Sequence, residues 1–585
     1  MNREKIFELE GRDLKKGKVV SLKEAVRRCI QPEMAIHACT GAYPNAILRE
    51  IIRQFWGKVP NFTFISSGIA TPYEIALVCS GLAKKVITTN HSYTYPAPRP
   101  IPLLQELQRK GQINIEMWST YTLEQRFLAA ALDVGFMPTK SLIGSDVARE
   151  NSDSYTIIGN PFEKGSRLGI VKALAPDISL IHGCVADTEG NTILAPPYFA
   201  SIWGPLASKN GVIVSVERIV SKNFIRKHAP LVTLPGEYVK YVCEVPYGSH
   251  PQGMAGEIVG VNGYGEDYEF LRNFVSITKD EEGLNEWIDQ WIFSQATQND
   301  YLRKLGLKKI VSLKGKSTSD TWKFEHITSF SSTLLNEKYN SLEMMIIAAA
   351  RELINLVNQK GYQRILVGIG RSALAAWTAF YLLKQQNKRV TLMSGLGHVG
   401  YEPRPGDPYL MTLSNVITSV ALTDTTKVYG VFVGGKNAKC VSVLGAAQID
   451  KFGNTNTVKV NDKSFIGLGG SADALSSSET VVMAKQSRDR FLEKVSYIGC
   501  PGKKVRMLVT DLGIFKKIGS EETFTLVAYF KKSLSSKDNS FFEIQEKCGW
   551  KIKAARDLEE VSPPTEEELY ILRSLDPKGI YRGKN

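Results

Sequence analysis

The sequence predicts an α/β protein made of two related open α/β domains, and three observations predict it. Apolar strand-like runs alternate with helical patterns through both halves. Several of these strands run straight into glycine loops, the order by which open α/β sheets build sites at one edge. A short turn pattern, D-x-x-G-N-T, occurs once in each half, at Asp187-Thr-Glu-Gly190-Asn191-Thr192 and at Asp450-Lys-Phe-Gly453-Asn454-Thr455, each time after an apolar stretch.

Asp and Gly-Asn are residues that tight turns prefer on their own account. Two matches in the same order, on either side of a low-complexity connector, imply internal duplication. A chain of 585 residues is also too long for a single core. The expected division is 1–304 for the first domain, 305–341 for a connector, 342–562 for the second domain, and 563–585 for a charged peripheral tail poor in core-forming residues.

In the first half, Leu22, Ala25, Val26 and Cys29 fall at helical spacing. A strand over 35–38, a loop over 40–45 and a helix over 46–55 follow, with Pro44 and Asn45 as helix-start residues. Further strands are expected over 62–68, 113–119, 178–182 and 211–217, and 136–140 reads as a loop. The second half opens with the same grammar: a helix over 344–357, a strand over 365–367, a glycine loop over 368–372 and a helix from 373. The run from Val390 to Met393 is another strand; it breaks into a turn with Gly395, Gly397 and Gly400 and then a loop holding Pro403, Pro405 and Pro408. Residues 465–473 form a third glycine loop.

Composition excludes several classes. With 43% hydrophobic and 23% charged residues the chain reads as a soluble globular protein. No run has the length and uniform apolarity of a membrane span. The opening residues are charged, with no apolar signal core, so a cytoplasmic location is expected. Eight cysteines without a CxxC pair, and seven histidines without HxxxH or HxH spacing, read as core residues; neither disulfides nor a metal site is expected. The net charge of +14 raises the question of nucleic acid, but the basic residues are spread out. Their densest patch, Arg303, Lys304, Lys308, Lys309, Lys314 and Lys316, lies at the connector without a nucleic-acid motif and reads as a solvated linker. A basic chain also suits a phosphorylated small ligand.

Several stretches together resemble a known family. Ala173-Leu-Ala-Pro-Asp-Ile-Ser-Leu-Ile-His182 with Ala186-Asp187 and Gly190-Asn191, then Ser215-Val-Glu-Arg-Ile-Val220, then Glu244-Val-Pro-Tyr-Gly-Ser-His-Pro251, look like the α-subunit of family I CoA-transferases of the glutaconate type. Gly445-Ala-Ala-Gln-Ile-Asp-Lys-Phe-Gly-Asn454, the Gly467 to Asp473 loop and Arg490-Phe-Leu-Glu-Lys-Val495 look like the β-subunit. The resemblance spans nearly the whole chain as one fused polypeptide. It implies two related α/β domains with the active site at their junction and acyl-CoA as substrate, with coenzyme A entering as part of that substrate and no resident cofactor. It further implies no nucleic-acid or membrane partner, and a homo-oligomer.

In that family a glutamate attacks the thioester, forms an anhydride and then carries CoA as a glutamyl thioester. The family pattern is Ser-Glu-x-Gly; here it reads Ser394-Gly395-Leu396-Gly397. Glycine has no side chain with which to form an anhydride. A branch resembling this family lacks that glutamate and opens a carbocyclic ring in a CoA thioester by retro-Claisen cleavage, which needs a base and oxyanion donors. Three functions stay open: ring-opening hydrolase, which accommodates Gly395; CoA transfer between carboxylic acids; and a catalytically silent acyl-CoA binder. The resemblance puts the hydrolase branch's base at or next to Met117, which makes Glu116 a candidate. A solvent-facing residue on an alternating strand is the alternative reading of Glu116. His398, in the site loop, is a second candidate base or CoA contact, with an ordinary loop histidine as its alternative. Gly368, Gly370, Gly397, Gly467, Gly469 and Gly470 are the expected CoA-binding glycines, because glycine after a strand lets backbone N–H groups approach a ligand oxygen.

Overall fold

The computed structural model describes residues 17–583 apart from 319, 321, 324–326, 328–337, 461–462 and 532–539. Nearly all of the charged opening segment, and part of the expected connector, therefore lie outside the described residues.

In the first half, β1 (Ala35–Ala38), β2 (Phe62–Ser66), β3 (Ala83–Thr88), β4 (Asn114–Met117), β5 (Ile178–Ala186), β6 (Val212–Ile219) and β7 (Val239–Glu244) form a parallel sheet in the order β7-β6-β5-β1-β2-β3-β4. β5 is buried at all nine positions, the continuous burial of a central strand covered on both faces. In the second half, β8 (Arg364–Val367), β9 (Thr391–Ser394), β10 (Cys440–Gly445), β11 (Glu479–Met483) and β12 (Val505–Val509) run parallel in the order β9-β8-β10-β11-β12. β13 (Gly513–Lys516), β14 (Thr525–Tyr529) and β15 (Lys553–Glu560) extend one edge of this sheet, and two short strands, His398–Val399 and Ala421–Leu422, extend the other.

The duplication read from the turns is a duplication of topology. The runs β2-β1-β5-β6-β7 and β9-β8-β10-β11-β12 are wound in the same order. Their turns are built alike as well. Asp187 accepts hydrogen bonds from the backbone N–H of Glu189 and Asn191 and from the Asn191 amide; Asp450 accepts from Phe452, Asn454 and the Asn454 amide. Gly190 and Gly453 both have positive φ, 98° and 78°, which only glycine adopts without strain. The Asn191 oxygen then accepts from Gly236 N–H at 3.0 Å and the Asn454 oxygen from Gly502 N–H at 2.8 Å, so each turn fixes the entry to the last strand of its run.

Four helices matter for the site. α1 (Thr120–Ala131) follows β4, and a reciprocal cap between Ser119 and Thr122 starts it. α2 (Ser341–Lys360) starts from an Asn340–Glu343 capping box and stops at left-handed Gly361. α3 (Arg371–Gln385) follows β8, and α4 (Ser471–Ser477) follows the third glycine loop. Each half has its own apolar core, and a third cluster runs between them, joining Met117, Trp118 and Phe127 to Leu468, Leu475 and Phe491.

Three expectations change. Residues 136–140, expected as a loop, contain a strand, Phe136–Thr139, at the edge of a separate three-stranded sheet; the edge is where a strand tolerates Pro138. The basic patch at the connector is not a solvated linker in its described part, because Leu307–Gly315 is a helix with Leu313 buried and Lys309 pairs with Asp267 and Glu269. Residues 563–585 are not a peripheral tail. α5 (Glu566–Leu575) places Leu569, Leu572 and Leu575 in the second core, and its Arg573, fully buried, pairs with buried Glu343 at 2.8 Å. Apolar residues three apart outweigh the charged composition of the segment.

Candidate functional site

The halves meet over the carboxyl ends of the first sheet, the edge at which open α/β sheets bind ligands. Main-chain atoms make part of the joint. The Thr89 carbonyl, just beyond β3, accepts from Leu468 N–H at 2.9 Å and Gly469 N–H at 2.8 Å, and His91 N–H donates to the Ile466 carbonyl at 3.0 Å. A side chain on Gly467 (φ 97°) would put its Cβ 2.6 Å from the Thr89 oxygen. At the head of α1, Thr120 N–H donates to the Gly469 carbonyl at 2.9 Å, while Asp473 accepts from Ser119 Oγ at 2.6 Å and Tyr121 N–H at 3.0 Å.

The loop after β9 is clamped on both sides. Gly395 carbonyl accepts from Thr425 Oγ1 at 2.9 Å. Gly397 (φ 107°) accepts at its carbonyl from Thr423 N–H at 2.9 Å, and a Cβ there would lie 3.1 Å from the Pro197 Cβ of the first half. A Cβ on Gly395 would collide with the Tyr429 hydroxyl, and so would one on Gly470. Tyr429, from the helical stretch that begins at Thr425, thus fills the space where a side chain at 395 would point. Its ring is buried, and burial followed by the nearby Asp473 charge pushes its phenol far above the ordinary range.

Glu116 ends up on β4 with its carboxylate engaged by Lys85 at 2.6 Å, Trp118 Nε1 at 2.7 Å and Arg126 at 2.9 Å. Burial works to raise its pKa, but the bonds from Lys85 and Trp118 and the Arg126 charge win and hold it below the usual value. His398 is buried; Nδ1 lies 2.8 Å from Ser394 Oγ, and Nε2 has no partner among the described residues. Burial lowers its pKa to about 4, so the ring is neutral at pH 7. Gly368 donates to the Val443 carbonyl at 2.9 Å. Gly370 (φ 83°) opens α3 without a side-chain cap, close to Tyr581, whose carbonyl accepts from Arg371 Nε at 3.0 Å.

The structure therefore brings Gly395, Gly397, Gly467, Gly469 and Gly470 to the junction, and leaves Gly368 and Gly370 along the second sheet's edge. It also brings residues that sequence reasoning missed. Glu124, on α1, is 1% exposed, and one of its carboxylate oxygens has no partner among the described residues. Burial first, and then the charge of Asp424 from the other half, raise its pKa to about 8, with Ser67 pulling the other way. The signal was present in the sequence: Glu124 sits with Thr120, Leu123 and Phe127 on the apolar stripe of its helix, where a carboxylate is out of place. Tyr429 lies inside an apolar Val-Tyr-Gly-Val-Phe-Val run and had no such signal.

Two halves wound alike, fused in one chain and joined at their sheet edges define a two-domain protein of the family I CoA-transferase fold. Residues 19–245 match the Coenzyme A transferase family model. Both subunits of a glutaconate CoA-transferase are matched. One of the two glutaconate CoA-transferase chains of Acidaminococcus fermentans is 25% identical over 51% of this protein and 95% of its own length, and the other is 26% identical over 24% of this protein and 59% of its own length. The cholesterol ring-cleaving hydrolase IpdA subunit of Rhodococcus jostii is 26% identical over 44% of this chain and 84% of its own. The acyl-CoA transferase YdiF of Escherichia coli O157:H7, as the apoenzyme, superimposes with a TM-score of 0.64 over 96% of this chain and 97% of its own at 17% identity, a likeness of fold.

Proposed function

We propose that this protein is an acyl-CoA-processing enzyme that opens a carbocyclic ring of a CoA thioester by retro-Claisen C–C cleavage. The observation that carries the reading is the filled space at Gly395: the turn from Gly395 to Gly400 offers no carboxylate, and the Tyr429 hydroxyl takes the volume one would need. Without a covalent glutamyl intermediate, the nucleophile left to the site is water, which needs a base and donors for the developing oxyanion. The ring-cleaving relative, at an identity equal to that of the transferase relatives, agrees with this chemistry. Gly368, Gly370 and the uncapped start of α3 serve the anionic part of CoA in this reading.

CoA transfer between carboxylic acids is the second reading, favoured by the likeness to both subunits of a glutaconate CoA-transferase. One experiment separates them. When an acyl-CoA is incubated with an isotopically labelled free acid, the ring-opening reading expects no label in the thioester pool and no borohydride-trappable glutamyl adduct. Label exchange with such an adduct overturns it.

A further inference from the structure

We propose that Glu124 is the proton-transfer residue of this site, acting as base on the attacking water and then as acid toward the carbon next to the thioester. The inference rests on the ring-opening function proposed above. Its geometry is that of a group left unfinished by the fold. Of the buried carboxylates near the joint, Asp473 is satisfied by Ser119 and Tyr121, and Glu74 by Ser66, Ala70 and Thr71. Glu116 is tied to two cations and an indole. Glu124 alone among these four keeps a buried oxygen without a partner. Ser67, one residue beyond β2, is also buried; its hydroxyl lies beyond hydrogen-bond length from any partner among the described residues and faces the Glu124 carboxyl closely enough to favour its ionised form. A fold that buries two polar atoms normally pairs them with protein or water.

The helix that carries Glu124 packs against the stretch Thr425–Lys427 of the second half. Asp424, the charge it feels from the second half, caps the helical stretch whose Thr425 hydroxyl holds the Gly395 carbonyl. The groups bearing on Glu124 are Asp424 from that stretch, Ser67 from the end of β2 and Cys39 from the end of β1. A buried carboxyl that gains and releases its proton near neutral pH is suited to alternate between the two roles.

The step balances. Ionised Glu124 takes one proton from water, and the water oxygen bonds to the ring ketone carbon. As the carbonyl re-forms, the bond from that carbon to the thioester α-carbon breaks, and its electron pair becomes the thioester enolate. Glu124 returns its proton to the α-carbon. The net change is one water added across one C–C bond, giving a free carboxyl and a CoA thioester in an opened chain.

The test uses the full chain and 2-oxocyclohexane-1-carbonyl-CoA, a small cyclic β-keto thioester whose product is the open-chain heptanedioyl mono-thioester. Wild-type protein is expected to open the ring, with a rate that rises with pH toward about 8. Glu124→Gln, a neutral isostere of the buried acid, is expected to fold, to bind the unreactive cyclohexanecarbonyl-CoA with unchanged affinity, and to lose about 100-fold or more in turnover together with the rising limb. Glu124→Asp, which keeps a carboxyl, is expected to retain the pH dependence at a reduced rate. If the wild type opens the ring and Glu124→Gln matches it in rate and pH profile, Glu124 is overturned and the ring-opening function stands. If the wild type is inert toward the ring, that function falls and this role falls with it.

Discussion

At Gly395 a missing side chain and a bulky neighbour are two sides of one fact. A glutamate placed there meets the Tyr429 hydroxyl before its carboxyl can reach anything. Gly395→Glu alone is therefore expected to lower the melting temperature and to yield no glutamyl adduct with acyl-CoA and borohydride. Gly395→Glu combined with Tyr429→Ala, which vacates the space, is expected to recover part of that stability and to become trappable by mass spectrometry. Glu116 makes the opposite kind of prediction. Its carboxylate neutralises Arg126, whose side chain is only 5% exposed, so Glu116→Gln should cost about 2–3 kcal/mol in a denaturant titration; a fully buried pair would cost roughly 3–5, and the half-open Lys85 softens the loss. The glycines were legible residue by residue because glycine after a strand has few other uses. Glu124 was legible only as a misplaced charge, and Tyr429 not at all, since its role comes from where a distant segment lands.

Among the elements, strand order and the paired turns were readable because period, turn chemistry and order all agreed. The last helix was not, because its charged residues hid three leucines facing α2 and α3. That docking brings a charge cluster into the second core: Glu343 faces Arg573 at 2.8 Å and Arg582 at 3.2 Å. Burial alone would raise the Glu343 pKa, but the bond and charge of Arg573 hold it below the usual value. Glu343→Ala leaves both arginines without their shared carboxylate and is expected to destabilise by about 3–5 kcal/mol in urea unfolding. The turns give a milder test. Asp450→Ala removes four hydrogen bonds to one carboxylate and should cost about 2–3 kcal/mol; Asp187→Ala, which removes three, should cost slightly less.

For the molecule as a whole, the buried acids at and near the joint set a pH dependence. Burial raises Glu124 to about 8, Glu266 to about 7 and Asp473 to about 6. An acid that binds its proton more tightly when folded contributes stability that is complete below its unfolded pKa and lost as pH rises through the folded one. The loss thus falls between about pH 4 and pH 8. Acids with lowered values, such as Glu116 and Glu343, are already ionised at the upper end of that window and do not offset it there. Calorimetry is expected to show a melting temperature that falls from about pH 4 to pH 8, with a flatter slope in Glu124→Gln.

The two halves are held to each other in good part by carbonyls and N–H groups, at Thr89, Ile466, Leu468 and Gly469. The main-chain part of that seam is indifferent to which side chains its residues carry. Side chains on both sides can drift, and the polypeptide linking the halves can be cut or joined, while the same main-chain contacts re-form. Dividing the chain within 328–337 into two separately expressed pieces is expected to give a complex that co-purifies, as glutaconate CoA-transferase of Acidaminococcus fermentans has separate subunits A and B. Covalent continuity here fixes the ratio and proximity of two partners that meet through the backbone as well as through side chains.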